Sequence, residues 1–591
     1  MHVMYLRRKC RHKDGKAHIY WELVESYRTD RGPRQRIVSH LGDMDEEERL
    51  GIEQAAKGNL PVQESLFEET SPEWVEIDVH NVRTERSRRF GDVWIALELI
   101  KKLGLDEMLE RVLPEPGGSA DAVDGGRNPK ISWASLASVL IISRFCEPSS
   151  ELHIAEQFYH KSALADLIGI PEEDIYDNRL YRALDKLVKQ KDDIQKHLKE
   201  RMGELFALTY DILLYDVTST YFEGAASENA QAQRGYSRDS RPDCKQVCIG
   251  LVVAKGGLPL GFEMFEGNRH DSKTVKTVIE KMESLYGKSD RIWIMDRGMI
   301  SPANLAMLSK EGRRYIIGTP KSRLKKFEQQ LLTKDWKQVH EGLEVQLCPS
   351  PEGGEEIFIL CRSRARREKE QAMHKRFIEH LEKGLKRIRK TCESGRVKNI
   401  RVVERRIGRL LERYSRASAL FDIDVKELDG KIQLTWTIHN SENDWAHLSE
   451  GCYLLRTNIT DWAPEDLWKA YIQLTEAEAA FRIQKQDLKL RPIWHQREDR
   501  VHAHILVCFL AFVLWKCLAQ MCKAAGLGNE PRVLIEQMSQ VNLTDVILST
   551  RTGIELRFRC VTQPEPSLAI LLQKLNLFLP KRLSIENNHI L

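Results

Sequence analysis

The sequence has no apolar run long enough to cross a membrane. Its most apolar stretch, Ile505–Trp515, is 11 residues long, about half of what a bilayer demands, so it reads as a buried helix. The opening Met1-His-Val-Met-Tyr-Leu-Arg-Arg-Lys lacks the apolar centre of a secretory leader. Zinc-ribbon spacing is missing too. Among 12 cysteines the nearest pairs are Cys244/Cys248 and Cys517/Cys522, and neither has a matching partner pair. Dispersed thiols without a leader point to a reducing cytoplasm. Net charge is scarce, +4 over 591 residues, but it is unevenly spread. Between Arg362 and Arg416 stand 20 Lys/Arg against 7 Asp/Glu, a net of +13 that leaves −9 for the rest. Such a block reads as a polyanion-facing surface, with a solvated helical arm as the plainer alternative.

The length exceeds what one core supports and suggests about four domains. Residues 1–75 read as a small β-rich unit, with one hairpin whose basic tip is the turn Thr29-Asp-Arg-Gly-Pro-Arg34. Residues 80–205 are helical. Val93–Gly104, Trp133–Phe145, Ser150–Tyr159 and a helix opened by Asp177 or Asn178 follow one another, with Glu115–Lys130 as a loop. Arg179 and Arg182 on the last helix suggest a DNA-end reader. Residues 206–320 alternate as three strands, a helix, a strand, a helix and a strand, the order of a ribonuclease-H-like α/β fold. Residues 321–440 interrupt it with β segments around the basic helical block, and residues 441–522 resume it. Residues 523–591, with a strand pair around Thr552-Gly553 and a helix from Pro566, read as an accessory or dimer region.

Within that order two apolar runs end on aspartates, Ile212-Leu-Leu-Tyr-Asp216 and Ile292-Trp-Ile-Met-Asp296. A buried strand that delivers a carboxylate needs a positive partner, and a divalent cation is one. In the expected fold the first and fourth strands are parallel neighbours, which brings the two acids together. Downstream, Tyr471, Glu478 and Lys485 are spaced by seven, so on one α-helix they form a stripe. A ring, an acid and a base on one stripe suit a metal-ligating glutamate flanked by two groups that grip nucleic acid.

Asp216 in Tyr-Asp-Val-Thr-Ser-Thr, Asp296 in Met-Asp-Arg-Gly, and Tyr-x6-Glu-x6-Lys together resemble the DDE transposases of bacterial insertion sequences. The resemblance is to the insertion-sequence-4 superfamily, in the branch with an N-terminal extension. It takes in Arg234–Gln246, Gly267-Asn-Arg-His-Asp271 and Leu490-Arg-Pro-Ile-Trp-His495. The superfamily's helix motif has an arginine where this chain has Leu474, and Arg482, one turn beyond Glu478, is a candidate substitute.

The resemblance implies a homodimer that synapses two terminal inverted repeats and moves them into target DNA, in the bacterial cytoplasm with the nucleoid. It implies two Mg²⁺ ions, replaceable by Mn²⁺, with Asp216 bridging them and Asp296 and Glu478 each holding one. Tyr471 and Lys485 carry over as contacts to the cleaved strand, and Trp436 as a ring that stacks on a flipped base in a mostly β insertion. Arg297 and Lys245, inside the matching motifs, are further DNA contacts. Tyr215 and Ser219 read as structural, Asp271 as a helix cap, and His495, His502 and His504 as no zinc site. A hydrolytic ribonuclease-H-like nuclease or resolvase, and a catalytically silent repressor derived from a transposase, are the alternatives.

Overall fold

The computed structural model describes residues 3–13, 16–29, 32–42, 74–113, 131–397, 399–418, 420–428, 431–438, 445 and 448–583. The loop read over Glu115–Lys130 and the turn residues Asp30 and Arg31 lie outside them. Two compact units emerge, one of Met1–Arg11, Ile19–Ile292 and Gln473–Leu591, the other of His12–His18 and Trp293–Ile472.

The first unit opens on a sheet of β1 (Val3–Lys13), β2 (Lys16–Thr29) and β3 (Gly32–Gly42), in that order. β2 and β3 form the expected antiparallel hairpin, with Thr29 opposite Gly32. Glu22 is buried in it because Arg7 and Lys9 neutralise it at 2.7 and 2.8 Å. β4 (Arg83–Arg89) then leads into α1 (Gly91–Lys102), α2 (Leu105–Val112), α3 (Trp133–Cys146), α4 (Asp177–Leu187) and α5 (Lys191–Phe206). α4 begins at Asp177 itself, so neither Asp177 nor Asn178 is its cap. Tyr176 holds that place, and the Asp177 carboxylate accepts the Asn178 N–H at 2.7 Å. Arg179 is paired with Asp174 at 3.3 Å and lies over the Tyr176 ring, while Arg182 is exposed.

β5 (Ile212–Tyr221), β6 (Gln246–Ala254) and β7 (Pro259–Glu266) form an antiparallel ladder in that order. Gly256 and Gly257, at φ +79° and +73°, make the turn between the last two. β6 is buried along its whole length, as a central strand covered on both faces must be. α6 (Val275–Tyr286) follows, then β8 (Ile292–Met295), where the division between the units falls. The Ile292 N–H, still in the first unit, donates to the Asp211 carbonyl at 2.8 Å.

In the second unit α7 (Pro302–Lys310), capped by Ser301, leads to β9 (Arg314–Thr319). Then come β10 (Lys337–His340), β11 (Leu343–Pro349) and β12 (Ile357–Ser363). α8 (Arg364–Glu393), α9 (Ile400–Arg413) and the hairpin β13 (Phe421–Leu428) and β14 (Lys431–Ile438) precede β15 (Cys452–Thr457). The strands lie in the order β10-β11-β12-β15-β9-β8. β10–β12, expected inside a separate insertion, therefore extend the sheet of β9 through β15. The rest of the insertion is mainly helical rather than mostly β. Leu381, Leu385, Val403, Ile407 and Leu434 form its own core, while Arg376, Lys383, Arg387 and Lys390 make an exposed stripe along α8. α10 (Pro464–Ile472) closes the unit, with Pro464, Glu465 and Asp466 in its first turn.

The chain then returns to the first unit with α11 (Leu474–Gln486) and α12 (Glu498–Ala524). The single helix expected across Tyr471, Glu478 and Lys485 is thus two segments, parted at Gln473. α12 is longer than its apolar run suggested. It has 27 residues, and its most apolar 18, with a mean hydropathy of 2.1, are long and apolar enough to cross a membrane, yet 83% of that stretch is buried inside the protein. α13 (Arg532–Met538), β16 (Asn542–Ser549), β17 (Glu555–Val561), α14 (Pro566–Lys574) and β18 (Arg582–Leu583) complete the unit. The expected strand pair is β16 and β17. Unexpectedly, β16 also pairs with β4, Asn542 opposite Arg89, in the order β18-β17-β16-β4.

Candidate active site

Asp216 stands mid-strand in β5, opposite Leu251, rather than at a strand end. It is half-buried, and its Oδ1 accepts the Val217 N–H at 2.8 Å. The adjacent Tyr215 is fully buried and donates its hydroxyl to Thr274 at 2.6 Å. Burial pushes that phenol far above its ordinary range, which suits a strut and not a nucleophile. Ser219 accepts the Arg238 N–H at 3.3 Å. Asp271 is not a helix cap: His270 accepts the Ser272 N–H there, and Asp271 takes the Arg238 guanidinium on both oxygens at 2.6 Å.

α11 reads Leu-Thr-Glu-Ala-Glu-Ala-Ala-Phe-Arg-Ile-Gln-Lys-Gln, mostly strong helix formers. It buries Leu474, Ala477, Ala480, Phe481 and Gln484, and it packs along β5, where the two alanines permit close approach. Leu474, at the motif's arginine position, belongs to this buried face. Glu478 and Arg482 are exposed and line a groove of about 560 Å³ with Glu476, Lys516, Asn529 and Glu530. Lys516 reaches Glu476 at 3.6 Å, and burial lowers its ammonium pKa. Lys485 is half-buried and ion-paired with Asp239 at 2.9 Å. Lys245 donates only a long 3.4 Å bond to the Ala226 carbonyl.

In the second unit Asp296 directly follows β8, is exposed, and heads a turn in which the Met299 N–H donates to its carbonyl at 3.0 Å. Arg297 beside it is exposed. Gly318 of β9 explains how Tyr471 reaches this place. A Cβ there would stand 2.5 Å from the Tyr471 hydroxyl, 3.2 Å from the Arg297 nitrogen and 3.4 Å from the Asp296 Oδ1. Only glycine leaves that point open. Trp436 is elsewhere: its half-buried ring packs on the insertion's core with the Arg389 guanidinium 4.9 Å over it.

A sequence model of the transposase DDE domain matches residues 207–514, just over half of the chain. The chain belongs to the DDE transposases. Residues 6–68 of this transposase match the N-terminal domain of the IS1634 family transposases. No match is found among curated proteins. A cryo-EM structure of the piggyBac transposase synaptic complex with hairpin DNA is similar over 75% of this chain and 79% of that one. Identity is 7% and TM-score 0.37, too low to define a shared fold. The protein is thus an enzyme, a DDE-type DNA transposase, of a family that depends on divalent metal.

In this transposase Asp216 and Glu478 belong to the first unit, and Asp296 and Tyr471 to the second. Among the described residues no three His, Cys, Asp or Glu side chains are grouped as a metal cage. The donor chemistry of the three acids nonetheless fits a hard divalent cation, since all their ligand atoms are carboxylate oxygens. The histidines are engaged otherwise, His495 with Glu151, His502 with Gln231 and His504 with the Leu490 carbonyl. Sequence reasoning missed Asp239, which accepts from both Lys485 and Arg491. The available signal was an acid in a loop otherwise rich in arginine, Arg234, Arg238 and Arg241.

Proposed function

We propose that this transposase binds the terminal inverted repeats of its insertion sequence and there cuts and rejoins DNA, on a ribonuclease-H-like core with Asp216, Asp296 and Glu478 as its acids. The observation that carries the reading is the convergence of Tyr471 and Asp296 on Gly318. The end of α10 reaches the aspartate, and Glu478 follows seven residues on. A further observation supports it, within the first unit. Along α11, Glu476 lies at the Gly257 turn and Lys485 at the loop bonded to Ser219. Glu478 falls between these points, level with the middle of β5.

Asp216, Asp296 and Glu478 would hold Mg²⁺, with Mn²⁺ as a substitute. Such ions, when bound, make a water more acidic and offset charge at the phosphodiester. The chain's own residues grip and orient the DNA. Tyr471 and Lys485 touch the cleaved strand, Arg297, Lys245 and Arg482 meet phosphates, and the stripe on α8 carries flanking duplex. Water attacks the phosphodiester at the element end and frees a 3′-OH, which then attacks target DNA in line. No protein nucleophile takes part. A homodimer in the cytoplasm would hold two ends at once.

Glu478→Gln should lower metal-dependent cleavage of a repeat-end duplex by more than about a thousandfold while gel-shift affinity stays within about twofold. Retained cleavage would sink the triad. Joining of a precut end to a plasmid separates transposition from plain hydrolysis.

A further inference from the structure

The loop between β5 and β6 carries the Arg234–Gln246 motif, and its residues before Lys245 have no part in the mechanism above. It is laid flat on the sheet. Gln233 and Gln246 exchange backbone hydrogen bonds at 3.1 and 2.9 Å, and the Phe222 N–H donates to the Lys245 carbonyl at 3.0 Å. Gly235 lies so close to the Gly267 carbonyl that any side chain would lift the loop. Two successive residues then enter the protein. Arg238 clamps Asp271 and is also close enough to Asp216 to be stabilised by its charge. Asp239, with a side chain only 3% exposed, accepts from Lys485 at 2.9 Å and from Arg491. Both cations bond Oδ1, and Oδ2 is buried without a hydrogen-bond partner. Arg491 sits on the segment that returns to β5, where the Ile493 N–H donates to the Tyr221 carbonyl at 2.9 Å.

An ammonium buried without a counter-charge neutralises or turns to solvent. Asp239 supplies that charge to Lys485, yet two cations on one carboxylate leave one positive charge over. A site meant to receive a phosphate needs such a surplus.

We propose that Asp239 is a positioning residue for DNA cutting and joining, its carboxylate fixing the Lys485 ammonium, charged and oriented, for a backbone phosphate at the element end. The inference rests on the reading above that Lys485 meets DNA. Asp239, Arg491 and Arg238 are the charged groups acting on that ammonium, whose pKa burial already lowers.

The test uses full-length protein and a repeat-end duplex, assayed from about pH 6.5 to about 9. Asp239→Asn should cut about tenfold more slowly at neutral pH and lose more as pH rises, because Lys485 deprotonates. A buried ammonium with a depressed pKa binds fewer protons folded than unfolded, so over the same range the variant's stability should rise. Opposite slopes separate loss of charge from loss of fold. Asp239→Asn combined with Lys485→Arg should recover most of the rate with a flat profile, since a guanidinium stays charged when buried. A normal rate and flat profile in Asp239→Asn overturns the proposal, as does a loss with neither slope nor rescue. Should Asp239→Asn not fold, Asp239→Glu should stay within about fivefold of the natural rate, and a folded but inactive Asp239→Glu overturns the proposal. Lys485→Ala distinguishes the two levels. If it cuts normally, the DNA-contact reading falls and takes this one with it. If it is inactive beside a normal Asp239→Asn, only this one falls.

Discussion

Arg88, Arg559, Asp166 and Asp545 meet beneath the sheet of β4, β16 and β17, while Asp239, Lys485 and Arg491 meet at the end of α11. Both clusters lie in the first unit and both are largely buried. In the sheet cluster Arg559 holds Asp545 at 3.1 Å and Asp166 at 2.6 Å, and Arg88 bonds both acids, reaching Asp545 at 3.3 Å. Two cations face two anions. Arg557, which approaches Asp545 from the rim at 3.8 Å, is balanced by Glu85 at 2.8 Å. At α11 two cations face one anion. A balanced cluster has nothing left to offer a ligand, so it fastens elements. An unbalanced one is held short of neutrality, which serves a protein that must take hold of phosphate.

The comparison can be broken at its balanced end first. Asp545→Ala takes one of two counter-charges from both Arg88, 4% exposed, and Arg559, leaves two buried cations on Asp166 alone, and should cost about 3–5 kcal/mol of stability, measured as a lower urea midpoint. Cleavage per folded molecule should be unchanged, and a matching fall in that activity would erase the distinction. Glu151 offers a second balanced pair, with His495 at 3.4 Å. Burial pushes its carboxyl up, but the hydrogen bond and charge of His495 overcome this and hold it at about 2. A depressed carboxyl contributes stability that is present above its unfolded pKa and lost as pH falls through the folded one. Between about pH 4.5 and about 2 the natural protein should therefore lose up to about 3 kcal/mol more than Glu151→Gln, read from urea midpoints against pH. The smallest effect on stability belongs to the exposed stripe. Replacing Arg376, Lys383, Arg387 and Lys390 by alanine should leave stability within about 0.5 kcal/mol. It should also flatten the salt dependence of DNA binding, by about 0.9 in log–log slope for each phosphate no longer neutralised. An unchanged slope would make the stripe mere solvation.

Local pattern carried much of this architecture. Apolar runs and turn residues located β5, β6, β7, β8 and β9 within a residue or two and marked the Gly256-Gly257 turn, the buried middle of α12 and the existence of the β16–β17 pair, because each depends on its own side chains. What pairs with what did not show. β4 and β16 are partners across more than four hundred residues, and β12 meets β15 with Ile357 opposite Thr457. No short-range periodicity encodes either register. The heptad of Tyr471, Glu478 and Lys485 suggested one helix, but a spacing of seven does not report a break at Gln473. Trp436 shows the converse limit. Its place in the insertion was legible, yet the cation over its ring comes from Arg389, 47 residues earlier in the chain. Asp239 was hidden for a similar reason: its burial is created by Lys485 and Arg491, far downstream.

The pairing of β4 with β16 has a consequence for the order in which the protein is made. The entrance to α1 rests on late sequence as well, since Phe90 and Gly91 both donate to the Val541 carbonyl and Gly91 fits against Met538. At about 5–20 residues per second, a ribosome needs roughly 20–90 s to travel from one strand to the other. Through that interval the first helices emerge with one side uncovered. Nascent chains of this transposase should therefore lean on chaperones until residue 561 has cleared the exit tunnel, and an interrupted message should leave a fragment that cannot close its own first domain.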